Sequence, residues 1–153
     1  MGKLSILIVN GPNLGHLGQR QPEIYGTEGM DAVPGLVESL LGKERAGSVS
    51  LDFFQSNSEG GIIDRLEQAR EQGVDGLVVN AGAYTHTSLA LGDCLAWIRI
   101  PCVEVHLSNL SGRKDEPVRQ KSYVGPHSLG VIAGFGILGY ALAVQALAER
   151  LGS

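Results

Sequence analysis

The sequence lacks the features by which nucleic-acid-binding, membrane-surface and disulfide-stabilised proteins are commonly recognised. It contains no cluster of Lys and Arg, its formal net charge is −4, and aromatic residues make up only 5% of the chain. These values give no electrostatic footprint for nucleic acid or for an anionic membrane surface. The two cysteines, Cys94 and Cys102, have no second pair beside them, which argues against a disulfide framework or a zinc site. We therefore expect a small-molecule partner and no metal.

The N-terminus lacks the long apolar core and the small-residue cleavage site of a signal peptide, so a cytoplasmic location is expected. Residues 129–148 form an uncharged stretch that is long enough in principle to cross a bilayer. Gly134 and Gly136 interrupt this stretch, and the residues from Ile137 onward have helical spacing. We predict a strand followed by a helix, with a membrane tail as the alternative.

Apolar runs alternate with helical patterns along the 153 residues, of which 43% are apolar, and this predicts a single domain over residues 1–153. The predicted strands cover 4–9, 49–54, 76–79, 102–107 and 129–133. Asp31 is predicted to cap the first helix and Gly47 to end it, Gly73 is predicted to end the second, and a third covers 88–98. Strands and helices that alternate in this way form βαβ units. We expect a flavodoxin-like, doubly wound α/β fold, in which helices cover both faces of a five-stranded parallel sheet.

Polar residues follow or end three of the predicted strands. The first strand leads into the loop 10–26, the third leads into 80–88, and the fourth contains Glu104 and His106 before it ends at 107–109. Ligands of open α/β sheets bind outside the carboxyl ends of the strands. The three segments are therefore predicted to form one cleft.

The first of these loops carries Arg20 and Tyr25 on a segment long enough to be a lid or binding loop. A free tyrosine has a pKa of about 10, so it is a poor base at neutral pH unless a cation stabilises the phenolate. Arg20 could supply that cation. We predict Tyr25 as a proton-abstracting base, although glycines and asparagines in the same loop are also typical of a tight turn.

Glu104 and His106 are two residues apart on a strand and therefore share one face. A carboxylate beside a histidine fixes its tautomer and favours its protonated form, which suits a general acid. The simpler alternative is a polar pair at a strand end with no chemical role. His86 could likewise lie near a helix N-terminus that Thr85 or Thr87 caps.

These segments resemble the type II 3-dehydroquinases. The matching motifs are Asn-Gly-Pro-Asn-Leu from Asn10, Leu-Gly-x-Arg-x-Pro-x-x-Tyr-Gly from Leu17, Gln-Ser-Asn-Ser-Glu-Gly from Gln55, Asn-Ala-Gly-Ala-Tyr-Thr-His-Thr-Ser from Asn80, and Glu-Val-His-Leu-Ser-Asn from Glu104. They span nearly the whole chain in the order found in that family. Several motifs in order are far more specific than one glycine pattern.

The resemblance implies conversion of 3-dehydroquinate to 3-dehydroshikimate, an anti elimination of water in the shikimate pathway of aromatic amino acid biosynthesis, without metal or cofactor. It implies that Tyr25, activated by Arg20, removes a proton from the carbon next to the ketone. Asn13 would stabilise the resulting enolate through a bound water, and His106 would protonate the departing hydroxyl.

The resemblance also implies how the substrate binds and how the chain assembles. The substrate carboxylate is expected at the Asn80 side chain and at the backbone N–H groups of Leu107 and Ser108. His86 and Arg119 are expected at the ring hydroxyls. The family forms trimers that assemble into a dodecamer, and the residue matching Asp93 reaches a neighbour's site.

Two other classes of protein are compatible with parts of the sequence. A non-catalytic flavodoxin-like module would bind a small molecule, but the chain has no phosphate-binding P-loop and no acidic cluster after the first strand. A metal-dependent hydrolase could use His86, Glu104 and His106 as ligands. Imine chemistry is not favoured, since none of the four lysines follows a buried strand.

Three positions depart from the commoner pattern of the family. Gly15 replaces a frequent asparagine, Gly92 replaces a frequent arginine, and the segment from Arg113 to Arg119 is two residues longer than usual. We assign Arg119 to the substrate because it precedes the Ser-Tyr pair at 122–123. The extra length leaves Arg113 as an alternative.

Overall fold

The computed structural model describes residues 2–17 and 29–152. Within these ranges the strands form one parallel sheet, made of β1 (Leu4–Asn10), β2 (Val49–Gln55), β3 (Gly76–Asn80), β4 (Cys102–His106) and β5 (Gly130–Ala133). Their order across the sheet is β2-β1-β3-β4-β5. This is the strand order of flavodoxin-like doubly wound folds, so the predicted fold class is confirmed.

Helices cover both faces of the sheet. They are α1 (Val33–Leu41), α2 (Lys43–Gly47), α3 (Glu59–Glu71), α4 (Leu89–Ile98) and α5 (Leu138–Leu151). Ile6 and Ile8 of β1 belong to one buried cluster with residues of α1 and α5, whereas Leu7 and Val9 belong to another with residues of α3 and α4. Successive side chains of a strand point to opposite faces, so β1 needs apolar residues at every position.

The first predicted helix is wrong in two details. Gly42 has a φ of +81°, a backbone conformation that favours glycine, and it divides the segment into α1 and α2. Asp31 does not cap α1, because it lies inside a short 3₁₀ turn that precedes the helix. Gly47 does end α2, and Gly73 follows α3 with a φ of +71°, as predicted.

The uncharged C-terminal stretch forms the strand and the helix that its pattern predicts. β5 lies at the edge of the sheet, and α5 places Ala143, Val144 and Leu147 fully in the core. Among the described residues, no helix combines the length and the apolar character needed to cross a membrane. The same helix also carries Tyr140, a polar residue without any exposed surface.

Candidate active site

The carboxyl ends of β1, β2 and β3 bring three amide side chains to one edge of the sheet. Asn10 is in register with Gln55 on one side and with Asn80 on the other. The loops that follow β1 and β3 pack tightly against each other at Gly11. A Cβ added to Gly11 would lie only 2.2 Å from the carbonyl oxygen of Ala81. Only glycine permits this approach, so the loop after β1 can lie directly against the loop after β3.

Asn13 lies on this first loop in the left-handed conformation, with a φ of 68°. Its backbone N–H donates to Oδ1 of Asn57 at 3.0 Å, and Gln55 donates from Nε2 to the same oxygen and to the carbonyl of Gly11, both at 3.1 Å. The end of β2 therefore supports the turn that presents Asn13 to the cleft. A Cβ on Gly15 would lie 3.1 Å from Oε1 of Gln55, so a larger residue there would require a small shift of the Gln55 side chain.

Glu104 and His106 form the predicted pair on β4, and both are almost completely buried. Oε1 of Glu104 lies 3.1 Å from Nε2 of His106. The ring N–H is not aimed at that oxygen, so the two groups are in close contact without an aligned hydrogen bond. Burial alone would raise the pKa of Glu104, but the contacts with His106 and Ser122 outweigh it and lower that pKa.

Ser122 holds the Glu104 carboxylate from the opposite side and was not predicted as a site residue. Its hydroxyl donates to Oε1 of Glu104 at 2.5 Å and accepts the backbone N–H groups of Val124 and Gly125 at 3.1 and 2.9 Å. The two N–H donors leave the hydroxyl hydrogen free for the carboxylate. In the sequence, the only indication of this role was the position of Ser122 directly before Tyr123.

His86 stacks on His106, with ring centroids 6.0 Å apart and an angle of 19° between the planes. Its Nδ1 lies 2.7 Å from the carbonyl oxygen of Lys121, so Nδ1 carries the proton and Nε2 is an acceptor in the neutral ring. Burial lowers the pKa of His86, which favours this neutral form. The following helix is capped by Ser88, which accepts the N–H of Leu91 at 2.9 Å, and not by a threonine.

Both candidate arginines, Arg113 and Arg119, line the cleft. Glu116 lies between them and accepts the Nε–H of each at 2.9 Å. The contact with Arg119 and the one with Arg113 lower the pKa of Glu116. Both arginines therefore reach the cleft, and the assignment of Arg119 to the substrate, with Arg113 as the alternative, stays a prediction.

Asn80 completes the inner wall of the cleft. Its Nδ2 donates to the Tyr140 hydroxyl at 2.8 Å, and its Oδ1 accepts the N–H of Gly82 at 3.2 Å. Tyr140 was not predicted as a site residue. In the sequence, the only indication was that it places a single hydroxyl in the otherwise apolar first turn of α5. Leu107 and Ser108 line the same cleft.

Other predicted residues lie outside this group. Arg20 and Tyr25 lie outside the described residues. Asp93 is exposed on α4 and does not line the cleft, so its role in a neighbour's site stays a prediction. A Cβ on Gly92 would lie 2.7 Å from the carbonyl oxygen of Tyr123, which excludes the family's frequent arginine from this backbone.

The cleft can bind a small anion through neutral and cationic donors. It is lined by Pro12, Asn13, Leu14, Asn80, Gly82, Ala83, His86, His106, Leu107, Ser108, Leu110, Arg113 and Arg119. In residues 2–17 and 29–152, no three His, Cys, Asp or Glu side chains are arranged to hold one metal ion. Among these described residues, His86, Glu104 and His106 are not arranged as a ligand set for one metal ion.

Comparison with known proteins decides the family. The family model described as dehydroquinase class II matches residues 4–148. The chain belongs to the class II dehydroquinase family. The resemblance inferred from the motifs is thereby confirmed.

Individual dehydroquinases match over almost their full length. This member of the family is 47% identical over 149 residues to the 3-dehydroquinate dehydratase of Polynucleobacter asymbioticus, with 97% of each chain covered. It is 46% identical over 148 residues to the catabolic 3-dehydroquinase of Aspergillus clavatus, covering 97% of this chain and 94% of that one. The type II dehydroquinase structure from Propionibacterium acnes superposes with a TM-score of 0.83 at 37% identity, covering 97% of this chain and 98% of that chain.

Proposed function

We propose that this chain is a single catalytic domain that dehydrates 3-dehydroquinate to 3-dehydroshikimate in the cytoplasm, as a step of the shikimate pathway. The observation that carries the proposal is the buried Glu104–His106 pair, whose histidine lines the same cleft as Asn80 and two arginines. A histidine held by a carboxylate is a suitable acid for an elimination, and the other groups suit a hydroxylated, anionic ring. The family membership supports the same reaction.

The substrate carboxylate binds to Nδ2 of Asn80 and to the backbone N–H groups of Leu107 and Ser108. Neutral donors at a strand end bind an anion without the cost of burying a second charge. The ring hydroxyls face His86 and Arg119. His86 supports this assignment because its neutral ring leaves Nε2 as an acceptor for a hydroxyl hydrogen.

The reaction proceeds by acid–base chemistry in two steps. The phenolate of Tyr25, stabilised by Arg20, removes a proton from the carbon next to the ketone and leaves an enolate. A water held by Asn13 donates to the enolate oxygen. The enolate then collapses to the conjugated ketone and expels the hydroxyl, which takes a proton from His106 and departs as water.

Glu104 has a supporting role in the second step. Its carboxylate is ionised at neutral pH, because the contacts with His106 and Ser122 lower its pKa despite burial. That buried carboxylate lies 3.1 Å from Nε2 of His106 and so faces the ring that gives up the proton. Ser122 keeps the carboxylate in place, so the acid depends on residues from two segments.

We further propose that copies of the chain form trimers that assemble into a dodecamer. Leu129, Val131 and Phe135, at and beside the edge strand β5, are 50%, 53% and 62% exposed. An exposed edge strand with apolar side chains favours pairing with another chain, and Asp93 is exposed, as a residue that reaches a neighbour's cleft must be. Sedimentation velocity should show a single large species, and a monomer at assay concentration would refute the assembly.

The test of the function is an assay of purified protein after exhaustive EDTA treatment. Addition of 3-dehydroquinate should give the ultraviolet absorbance of a conjugated product without added metal. A non-catalytic binding module would give no product, and a metal-dependent enzyme would regain activity only after metal is restored. In the same assay Tyr25→Phe should lose most turnover while substrate affinity stays nearly intact, and near-normal turnover would rule out Tyr25 as the base.

A further inference from the structure

We propose that Tyr140 is a positioning residue, which fixes the side-chain amide of Asn80 so that an N–H, and not the carbonyl oxygen, is offered to the substrate carboxylate. This inference rests on the proposed function, because it assigns a partner to the carboxylate-binding group of that reaction. It concerns a residue that does not line the cleft.

Tyr140 reaches the cleft residues from behind. It lies in the first turn of α5, has no exposed surface, and places its hydroxyl beneath the ends of β1 and β3. The hydroxyl lies 2.5 Å from Oδ1 of Asn10 and 2.8 Å from Nδ2 of Asn80. A single hydroxyl therefore links two amides that the sheet register already holds side by side.

The direction of every hydrogen bond in this group follows from one backbone donor. The N–H of Gly82 can only donate, and it lies 3.2 Å from the Asn80 side chain, so the atom that faces it must be Oδ1. Nδ2 of Asn80 therefore faces Tyr140, and the tyrosine oxygen accepts its hydrogen. The hydrogen of the tyrosine hydroxyl is then left to donate to Oδ1 of Asn10.

Burial supports the same assignment. It raises the pKa of Tyr140 above the ordinary tyrosine value, so the hydroxyl stays protonated at neutral pH. If the Asn80 amide were flipped, its oxygen would face the lone pairs of the tyrosine oxygen, because the tyrosine hydrogen is already donated to Asn10. The contact could be restored only if the Asn10 amide also turned. The flipped Asn80 amide would also set two donors, Nδ2 and the Gly82 N–H, against each other, so one orientation is strongly favoured.

This orientation leaves Asn80 with one further N–H for the cleft. Asn80 lines the cleft, and a carboxylate can only accept, so a rotated amide that presented Oδ1 would repel the substrate. Without the Tyr140 hydroxyl, Nδ2 of Asn80 loses its partner, and only the 3.2 Å contact with Gly82 restrains the amide, so its orientation is held less firmly. Substrate binding should then weaken while the proton-transfer groups remain in place.

The experiment compares Tyr140→Phe with wild type and with Val144→Ala. Val144 lies one turn further along α5, is fully buried, and does not line the cleft, so its truncation destabilises the same helix without touching the amides. Tyr140→Phe should raise KM for 3-dehydroquinate about tenfold and leave kcat close to wild type, the loss expected for one hydrogen bond to a charged group. Val144→Ala should lower Tm and leave KM unchanged.

The outcomes separate the positioning role from its alternatives. A Tyr140→Phe enzyme with wild-type KM, or with only a lower kcat, would overturn the proposal. If that variant does not fold, Asn10→Ala removes the acceptor of the tyrosine hydrogen, and a KM raised about threefold or more supports the network whereas an unchanged KM refutes it. A wild type without turnover would refute the proposed function and the positioning role together.

Discussion

Replacement of Ser122 by alanine removes a hydroxyl that donates to the buried Glu104 carboxylate at 2.5 Å. A hydrogen bond to a charged group contributes about 1.5–3 kcal/mol, and near this chain length each kcal/mol shifts Tm by about 2–4 °C. Ser122→Ala should therefore lower Tm by about 3–12 °C. Turnover should fall as well, because the carboxylate that supports His106 is no longer held in place.

Ser128→Ala provides the matched control on the same segment. The Ser128 hydroxyl donates to the neutral carbonyl of Val124 at 2.9 Å, a bond that contributes only about 0.5–1.5 kcal/mol. Differential scanning calorimetry and turnover should both show a larger effect for Ser122→Ala. Equal effects of the two alanines on Tm and kcat would refute the reasoning about Glu104.

The difference in Tm between wild type and Ser122→Ala should depend on pH in a definite direction. The pKa of Glu104 is lowered in the folded protein, so its carboxylate contributes stability above the unfolded value of about 4.3. That contribution is lost as the pH falls through the folded value. The Tm difference between wild type and Ser122→Ala should therefore shrink below about pH 4, and a difference that grows there would contradict the assignment.

Three further predictions concern the loops and the cleft. Gly11→Ala should lower the free energy of unfolding by about 3 kcal/mol or more, or prevent folding, because its Cβ would clash with the backbone. Gly35→Ala, at an exposed position of α1 with open space around it, should raise Tm slightly. Equal melting temperatures of the two variants would contradict this. The pKa of His86 is lowered in the folded protein, so its contribution to stability is full above about pH 6.5 and declines as the pH falls. The Tm of wild type should therefore fall more between about pH 7.5 and 5.5 than the Tm of His86→Gln. Glu116→Gln should raise KM about fivefold with kcat little changed, because it loosens both cleft arginines; initial-rate kinetics would reveal an unchanged KM if the idea is wrong.

The sheet and most of the helices could be predicted because each depends on local patterns. Apolar runs marked the buried strands, and the spacing of apolar residues marked the helices that cover them. The break at Gly42 was missed because a single glycine inside a helical segment is tolerated, and only its backbone conformation, with a φ of +81°, shows that α1 ends there. Asp31 was misplaced because a 3₁₀ turn precedes the helix proper.

The site was predictable where motifs carry it and not where partners lie far apart in the sequence. Asn80 and the Glu104–His106 pair were found from strand ends, whose position in a parallel sheet is fixed by topology. Tyr140 contacts Asn10 across 130 residues, and Ser122 contacts Glu104 across 18. Such contacts depend on how the helix and the loop pack onto the sheet, which no local pattern specifies.

The turnover number of His106→Asn, beside wild type and in the presence of EDTA, tests the central claim most directly. The account predicts a loss of about 10²–10⁴ in kcat, the usual contribution of one positioned acid, with substrate binding largely retained. A His106→Asn enzyme that forms 3-dehydroshikimate at a rate close to wild type would contradict the assignment of the Glu104–His106 pair as the acid of the reaction.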